Sequence, residues 1–201
     1  MKKILAIGGA VIKTAREELI DVIKAEHVEM LIHNGGSIFH DFQLATETLD
    51  GHSHPIDELI ESYEPNKKAS IYIWEWLKGA VAPSDSITRM CQDNSIPVLM
   101  FTGLACDFWQ LFNDSWDIFA SRAKIDFSIL CKRFLTEFHY VCMGSAVIHP
   151  EVFIKAIAVA KPQKFKSDVV DFLDMYRPRT RVAKFGTYFQ MTHKEYLKGL
   201  L

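Results

Sequence analysis

The chain has 201 residues, 49% apolar and 24% charged, with a formal net charge of −2. That length fits a single domain over 1–201, the apolar fraction excludes disorder of the whole chain, and the lack of surplus Lys and Arg speaks against a nucleic-acid binder. Four cysteines at 91, 106, 131 and 142 form no C-x-x-C pair, which excludes a zinc ribbon or a thioredoxin-type motif. No apolar run reaches about 18 residues, so no membrane contact is expected, and the chain reads as cytoplasmic with reduced thiols.

The N-terminus has the two lysines and apolar run of a leader peptide. The run is broken by Gly8-Gly9 and then by Lys13, Arg16, Glu17 and Glu18, so it reads instead as strand, turn and amphipathic helix. Ile4 to Ile7 is a buried strand. Thr14 with Glu17 has the spacing of a capping box at a helix start. Val28 to Ile32 is a second strand, ended by His33-Asn34-Gly35-Gly36-Ser37, and a helix is predicted over 38–49. Residues 50–68 read as a loop with a short helix, and 70–82 as an aromatic-rich helix carrying Trp74 and Trp76. Asp85 or Ser86 caps a short helix, SITRMCQ. Ile96 to Phe101 is a third strand, 104–136 is largely helical, Tyr140 to Met143 is a fourth strand and 147–160 a helix. Asp168 to Phe172 and VAKF at 182–185 are read as fifth and sixth strands, with a terminal helix in the last ten residues. Strands alternating with helices argue for a parallel sheet covered on both faces.

Four strands end on small residues before a helix: Gly8-Gly9, Asn34-Gly35-Gly36-Ser37, Thr102-Gly103 and Gly144-Ser145. In a parallel sheet these loops share the carboxyl edge, where open α/β sheets bind ligands and where helix N-termini offer N–H groups to phosphates. One glycine pair alone needs only a tight turn; four on one edge point to a nucleotide. No G-x-G-x-x-G is present. His149 follows the fourth loop and suits acid–base work if it titrates near neutrality, or it bonds backbone at a helix start. Asp107 follows the third loop and could hold an amine, or serve as a first-turn helix acid. His33, His40 and Asp41 suggest an alternative, a metal-dependent hydrolase. His52 and His54 read as a solvated loop. Trp109, Trp116 and the local basic patch Arg177, Arg179 and Arg181 read as packing, interface or solvated positions.

Four ordered stretches resemble the deoxyhypusine synthase family. They are AREELIDVIKAEHVEMLIHNGGSIFHDF; Ser86-Ile87 followed by Asn94-Ser95-Ile96-Pro97-Val98; FHYVCMGSAVIHP; and Arg177-Pro178 before VAKFG. The resemblance implies a three-layer, Rossmann-like parallel sheet of the sirtuin-like NAD-binding type, in a homo-oligomer (dimer or tetramer) acting on a polyamine or other small amine as a transferase. It implies NAD contacts at Gly8, Gly9, Ala10, His33, Asn34, Gly35 and Gly36, extended by position to Thr102, Gly103, Gly144 and Ser145, and amine contacts at Asp107 and His149. An ungapped match puts that family's catalytic lysine on Gly186, leaving Lys184, two residues away, as the amine that could replace it. A binding module that keeps the ligand edge without the chemistry is the other alternative.

Overall fold

The architecture comes from a computed structural model, which describes residues 1–45, 85–101, 116–145, 147–171 and 184–201. Six strands form one parallel sheet in the order β3-β2-β1-β4-β5-β6. They are β1 (Lys3–Ile7), β2 (Val28–Asn34), β3 (Val98–Phe101), β4 (Phe138–Met143), β5 (Phe165–Asp171) and β6 (Thr187–Gln190). The helices are α1 (Gly9–Lys24), α2 (Gly35–Ala45), α3 (Ile87–Asp93), α4 (Trp116–Arg133), α5 (Ile148–Ala160) and α6 (His193–Lys198). The fold is α/β, an open six-stranded parallel sheet with flanking helices and Rossmann-like strand order.

The run Ile4-Leu5-Ala6-Ile7 is buried throughout because β1 lies mid-sheet with a helical layer on each face. Strand side chains alternate between faces. Leu5 and Ile7 pack with Val141, Met143 and Val170 against α1, α3 and α6. Ile4 and Ala6 pack with Ile32, Leu99, Tyr140 and Cys142 against α4 and α5. The second face is aromatic: Phe134 stacks on Phe138 with centroids 3.9 Å apart, and Tyr140 on Phe153 at 4.6 Å. Truncating such a buried ring costs about 3–5 kcal/mol. On the first face, Glu18 of α1 pairs with Lys194 of α6 at 2.9 Å, fixing the terminal helix onto α1.

Several elements depart from the sequence expectation. The first helix starts at Gly9, and Thr14 does not cap it. The Thr14 hydroxyl donates to the Ala10 carbonyl at 2.7 Å, and the helix kinks at Ala15 (φ −145°, ψ 31°). The second helix starts at Gly35, three residues earlier than expected. The sixth strand is Thr187–Gln190; of the predicted VAKF, Lys184 and Phe185 lie in the turn before it and 182–183 lie outside the described residues. Phe185 is exposed, and Gly186 lies so close to Ser167 that a Cβ there would sit 1.8 Å from its carbonyl oxygen. The predicted short helix is present, with Ser86 Oγ accepting from the Arg89 amide. The elements predicted over 50–82, and Trp74, Trp76, Trp109, Arg177, Arg179 and Arg181, lie outside the described residues, as does the Trp116 side chain. Among the described residues no helix is long and apolar enough to cross a membrane.

Candidate functional site

From β1 the chain winds outward through β2 and β3, and from β4 outward the other way through β5 and β6. The order therefore reverses between β1 and β4, which are neighbours, and such a reversal opens a crevice at the carboxyl ends of the two strands. The loop Gly8-Gly9-Ala10 leaves β1 there, and Gly144-Ser145 leaves β4.

The glycines at this edge serve different ends. A Cβ on Gly8 would sit 2.0 Å from the Gly144 carbonyl oxygen, and one on Gly9 would sit 2.6 Å from His40 Cδ2 and 3.1 Å from the Gly36 carbonyl. The Gly8 amide donates to the Met143 carbonyl at 2.8 Å. Gly144 has φ +66° and would press a side chain onto Val11 and His193, a conformation that favours glycine. These three glycines are therefore required by close approach of backbone to backbone or side chain. Gly36 is not: its Cβ would find Asn34 Oδ1 at 3.6 Å and the Gly9 amide nitrogen at 3.9 Å, ordinary contacts.

Helix capping differs around the edge in the same way. Asn34 Oδ1 accepts from the Ser37 amide at the start of α2 (2.9 Å). Ser86 and Thr192 cap α3 and α6, the latter in a full capping box with Glu195. At α1 the cap position is Gly8, which has no side chain to offer, and at α5 it is Val147, which offers none. The His149 amide reaches Ser145 Oγ only at 3.3 Å, long for a hydrogen bond. Of the helices flanking the strand-order reversal, α1 thus begins without a side-chain cap, whereas at α5 the His149 amide is taken by Ser145 Oγ and Pro150 has no N–H; the helix dipole makes both ends partly positive.

His149 is fully buried. Its Nε2–H donates to the Ile7 carbonyl at 2.8 Å, which leaves Nδ1 as a bare acceptor with no partner among the described residues. Burial lowers its pKa to about 4, against the weaker opposing pull of the Ile7 bond. It is therefore a neutral ring bonded to backbone at pH 7, and the expectation of a near-neutral acid–base does not hold. His33 is also fully buried and lowered to about 3 by burial and by nearby His149. Its Nδ1 lies 2.9 Å from Ser37 Oγ and its Nε2 3.3 Å from Thr88 Oγ1.

The described residues do not bring His33, His40 and Asp41 together as a metal site. Asp41 Oδ1 accepts the Ile87 amide at 2.7 Å, and Oδ2 accepts the amide and hydroxyl of Thr88 at 2.9 and 2.8 Å. Its lone pairs thus hold the start of α3, and among the described residues no cluster of His, Cys, Asp and Glu could hold a metal ion.

Gly8, Gly9, Ala10, His33, Asn34, Gly35, Gly36, Gly144, Ser145 and His149 all stand at the carboxyl edge. Lys184 does not join them. It is exposed in the turn before β6, toward the amino edge, so no amine comes from that position to a pocket beside His149. Thr102, Gly103, Cys106 and Asp107 lie outside the described residues. One edge residue escaped the sequence reading: His193, in the first turn of α6, is buried beside Gly144 with its pKa lowered to about 4 by burial. The T-x-x-E spacing of Thr192 and Glu195 was the signal that could have placed it.

No protein-family model matches the chain, and no curated protein sequence matches it. Solved structures do. ArgZ, an arginine dihydrolase from the ornithine–ammonia cycle in cyanobacteria, is 17% identical with a TM-score of 0.66. The ternary complex of AgrE with ornithine and NAD+ is 14% identical with a TM-score of 0.63. Each match covers 99% of this chain but only 29% of the other. A conserved LOR/SDH protein from Methanococcus maripaludis S2 is 15% identical with a TM-score of 0.60, over 99% of this chain and 59% of its own. These neighbours overturn the resemblance to deoxyhypusine synthase, and the exposed position of Lys184 removes the amine on which its chemistry would depend. What the likeness establishes is the fold: an α/β sheet of the Rossmann-like type that ArgZ, AgrE and the archaeal LOR/SDH protein share.

Proposed function

We propose that the chain binds NAD, or a closely related nucleotide, in the crevice between the β1 and β4 loops, and that it is the nucleotide-binding part of an enzyme acting on a small amine such as an amino acid. The observation that carries this reading is the pairing of the strand-order reversal with the start of α1, which no side chain caps. A helix start with no side-chain cap, at the positive end of the helix, suits a pyrophosphate. Gly36, free of any packing requirement, lets a ligand approach the backbone from the α2 side. AgrE, solved with NAD+ and ornithine, supports the choice of nucleotide and of an amine substrate.

The proposed contacts are Gly8, Gly9, Ala10, Asn34, Gly35, Gly36, Gly144 and Ser145, with Thr102 and Gly103 from the third loop. Asp107 is proposed to hold the amine. His149 contributes as a neutral hydrogen-bonding group rather than as a proton donor. Titration calorimetry with NAD+, together with a thermal-shift series at rising NAD+, tests the reading. Saturable binding with a concentration-dependent rise in Tm is expected, and no heat and no shift would refute it.

A non-catalytic nucleotide-binding module is the second reading. It is favoured by the neutrality of His33, His149 and His193 at the edge. Nicotinamide absorbance during incubation with NAD+ and ornithine separates the two, since only an enzyme changes it or consumes the amine.

A further inference from the structure

Asp41 and His33 are both fully buried, and neither has a part in the proposed contacts above. They are joined through Thr88, 47 and 55 residues away in sequence. The Thr88 hydroxyl donates to Asp41 Oδ2 at 2.8 Å. A hydroxyl has one proton, so toward His33 Nε2, 3.3 Å away, Thr88 Oγ1 can only accept. The His33 ring proton is thereby assigned to Nε2, and Nδ1 is left to accept from the Ser37 hydroxyl at 2.9 Å. Ser37 Oγ in turn accepts the Asn34 amide at 3.0 Å, while Asn34 Oδ1 caps the Ser37 amide at 2.9 Å. The chain of bonds therefore ends on Asn34, where β2 passes into α2.

A second proton arrangement is built into the same atoms. The Ser37 hydroxyl also lies 3.0 Å from the Asn34 carbonyl. If His33 carried its proton on Nδ1, it would donate to Ser37 Oγ, and the serine would turn its own proton to that carbonyl. The Asp41 carboxylate selects between the two arrangements by fixing the direction of the Thr88 hydroxyl.

We infer that Asp41, Thr88, His33 and Ser37 form a buried hydrogen-bond relay that sets the His33 tautomer and holds Asn34 and the Gly35-Gly36 start of α2 in the shape that admits the nucleotide. His33 is a positioning residue here and not a ligand contact. The relay also ties α3 to the start of α2, because the same carboxylate holds the Ile87 and Thr88 amides. The positioning role rests on the nucleotide reading, whereas the relay itself rests on the distances alone.

Thr88→Val, which removes the hydroxyl at nearly constant shape, and Thr88→Ser, which restores it, test the inference by two readouts. Long-range ¹H–¹⁵N spectra report the protonated nitrogen of His33, and calorimetry reports NAD+ affinity. In the wild type the proton is expected on Nε2. Thr88→Val should move it to Nδ1 and weaken NAD+ by about 5- to 10-fold, the worth of one buried hydrogen bond. Thr88→Ser should return both to wild type.

A tautomer unmoved by Thr88→Val overturns the relay. A tautomer that moves with affinity unchanged overturns the positioning role. A wild type that binds no NAD+ overturns the nucleotide reading and the positioning role with it, while the spectra still decide the relay. Should Thr88→Val fail to fold, Ser37→Ala serves: the Nε2 proton should stay and the affinity should fall, and either result reversed refutes the inference.

Discussion

Replacing Gly36 with alanine sets the demands of folding against those of binding. Gly36 is the second residue of α2 and its φ is not in the left-handed region, so alanine fits the backbone. Its methyl would lie 3.6 Å from Asn34 Oδ1 and 3.9 Å from the Gly9 nitrogen, in van der Waals contact without overlap. Alanine restricts the unfolded chain and favours the helix, so the apo protein should gain about 0.5–1 kcal/mol, a rise in Tm of about 1–4 °C at this size. The same methyl fills the space through which a pyrophosphate would reach the loop, and NAD+ affinity should fall at least about tenfold, or about 1.4 kcal/mol. Urea unfolding of the apo protein and calorimetry with NAD+ measure the two quantities. Opposite signs are the expected outcome. Destabilisation of the apo protein would show that the space beside Gly36 is not there, and unchanged affinity would remove this loop from the nucleotide site.

Gly8→Ala should behave in the contrary way. A methyl 2.0 Å from the Gly144 carbonyl oxygen forces the β1 and β4 loops apart at a cost of about 3 kcal/mol or more, with or without ligand, and a wild-type urea midpoint would refute the contact. Acid should destabilise the protein early. His33, His149 and His193 have folded pKa values of about 3, 4 and 4, below the ordinary 6.5, so the unfolded chain binds the protons first. Their stabilisation is complete above about pH 6.5 and is lost as pH falls toward 4, at up to about 1.4 kcal/mol per pH unit for each histidine. A urea midpoint flat from pH 7 to 5 would contradict their burial. Chelation with EDTA should leave Tm unchanged, since His33 and Asp41 are engaged by Ser37, Ile87 and Thr88; a lowered Tm would reopen the metal reading.

The central strands were legible because burial on both faces leaves uninterrupted apolar runs such as Ile4–Ile7, and the glycine loops were legible because small residues follow those runs. Other signals were real but pointed to a different event. The Thr14 and Glu17 spacing marks the kink at Ala15, since inside a helix already begun at Gly9 the threonine hydroxyl finds the Ala10 carbonyl. Gly35-Gly36 looked like loop, yet Asn34 caps a helix beginning there. Phe185 looked like strand core, yet Gly186 must pass against the Ser167 backbone before pairing with β5 can start. His149 was placed at the right edge, but burial holds its pKa low, and the Ile7 carbonyl that takes its ring proton lies 142 residues away; no local pattern encodes either. The Asp41–Thr88–His33 chain was invisible for the same reason, and His40 and Asp41 beside it invited a metal interpretation that only the positions of the Ile87 and Thr88 amides dispel.

The contact between Gly8 and Gly144 at the end of the β1–β4 ladder is made by main chain. A side chain added at Gly8 would prise the two loops apart, so the junction between them is fixed. On the proposed nucleotide reading, selectivity is therefore to be redesigned from positions such as Ala10 and Ser145 outward, with the junction left intact.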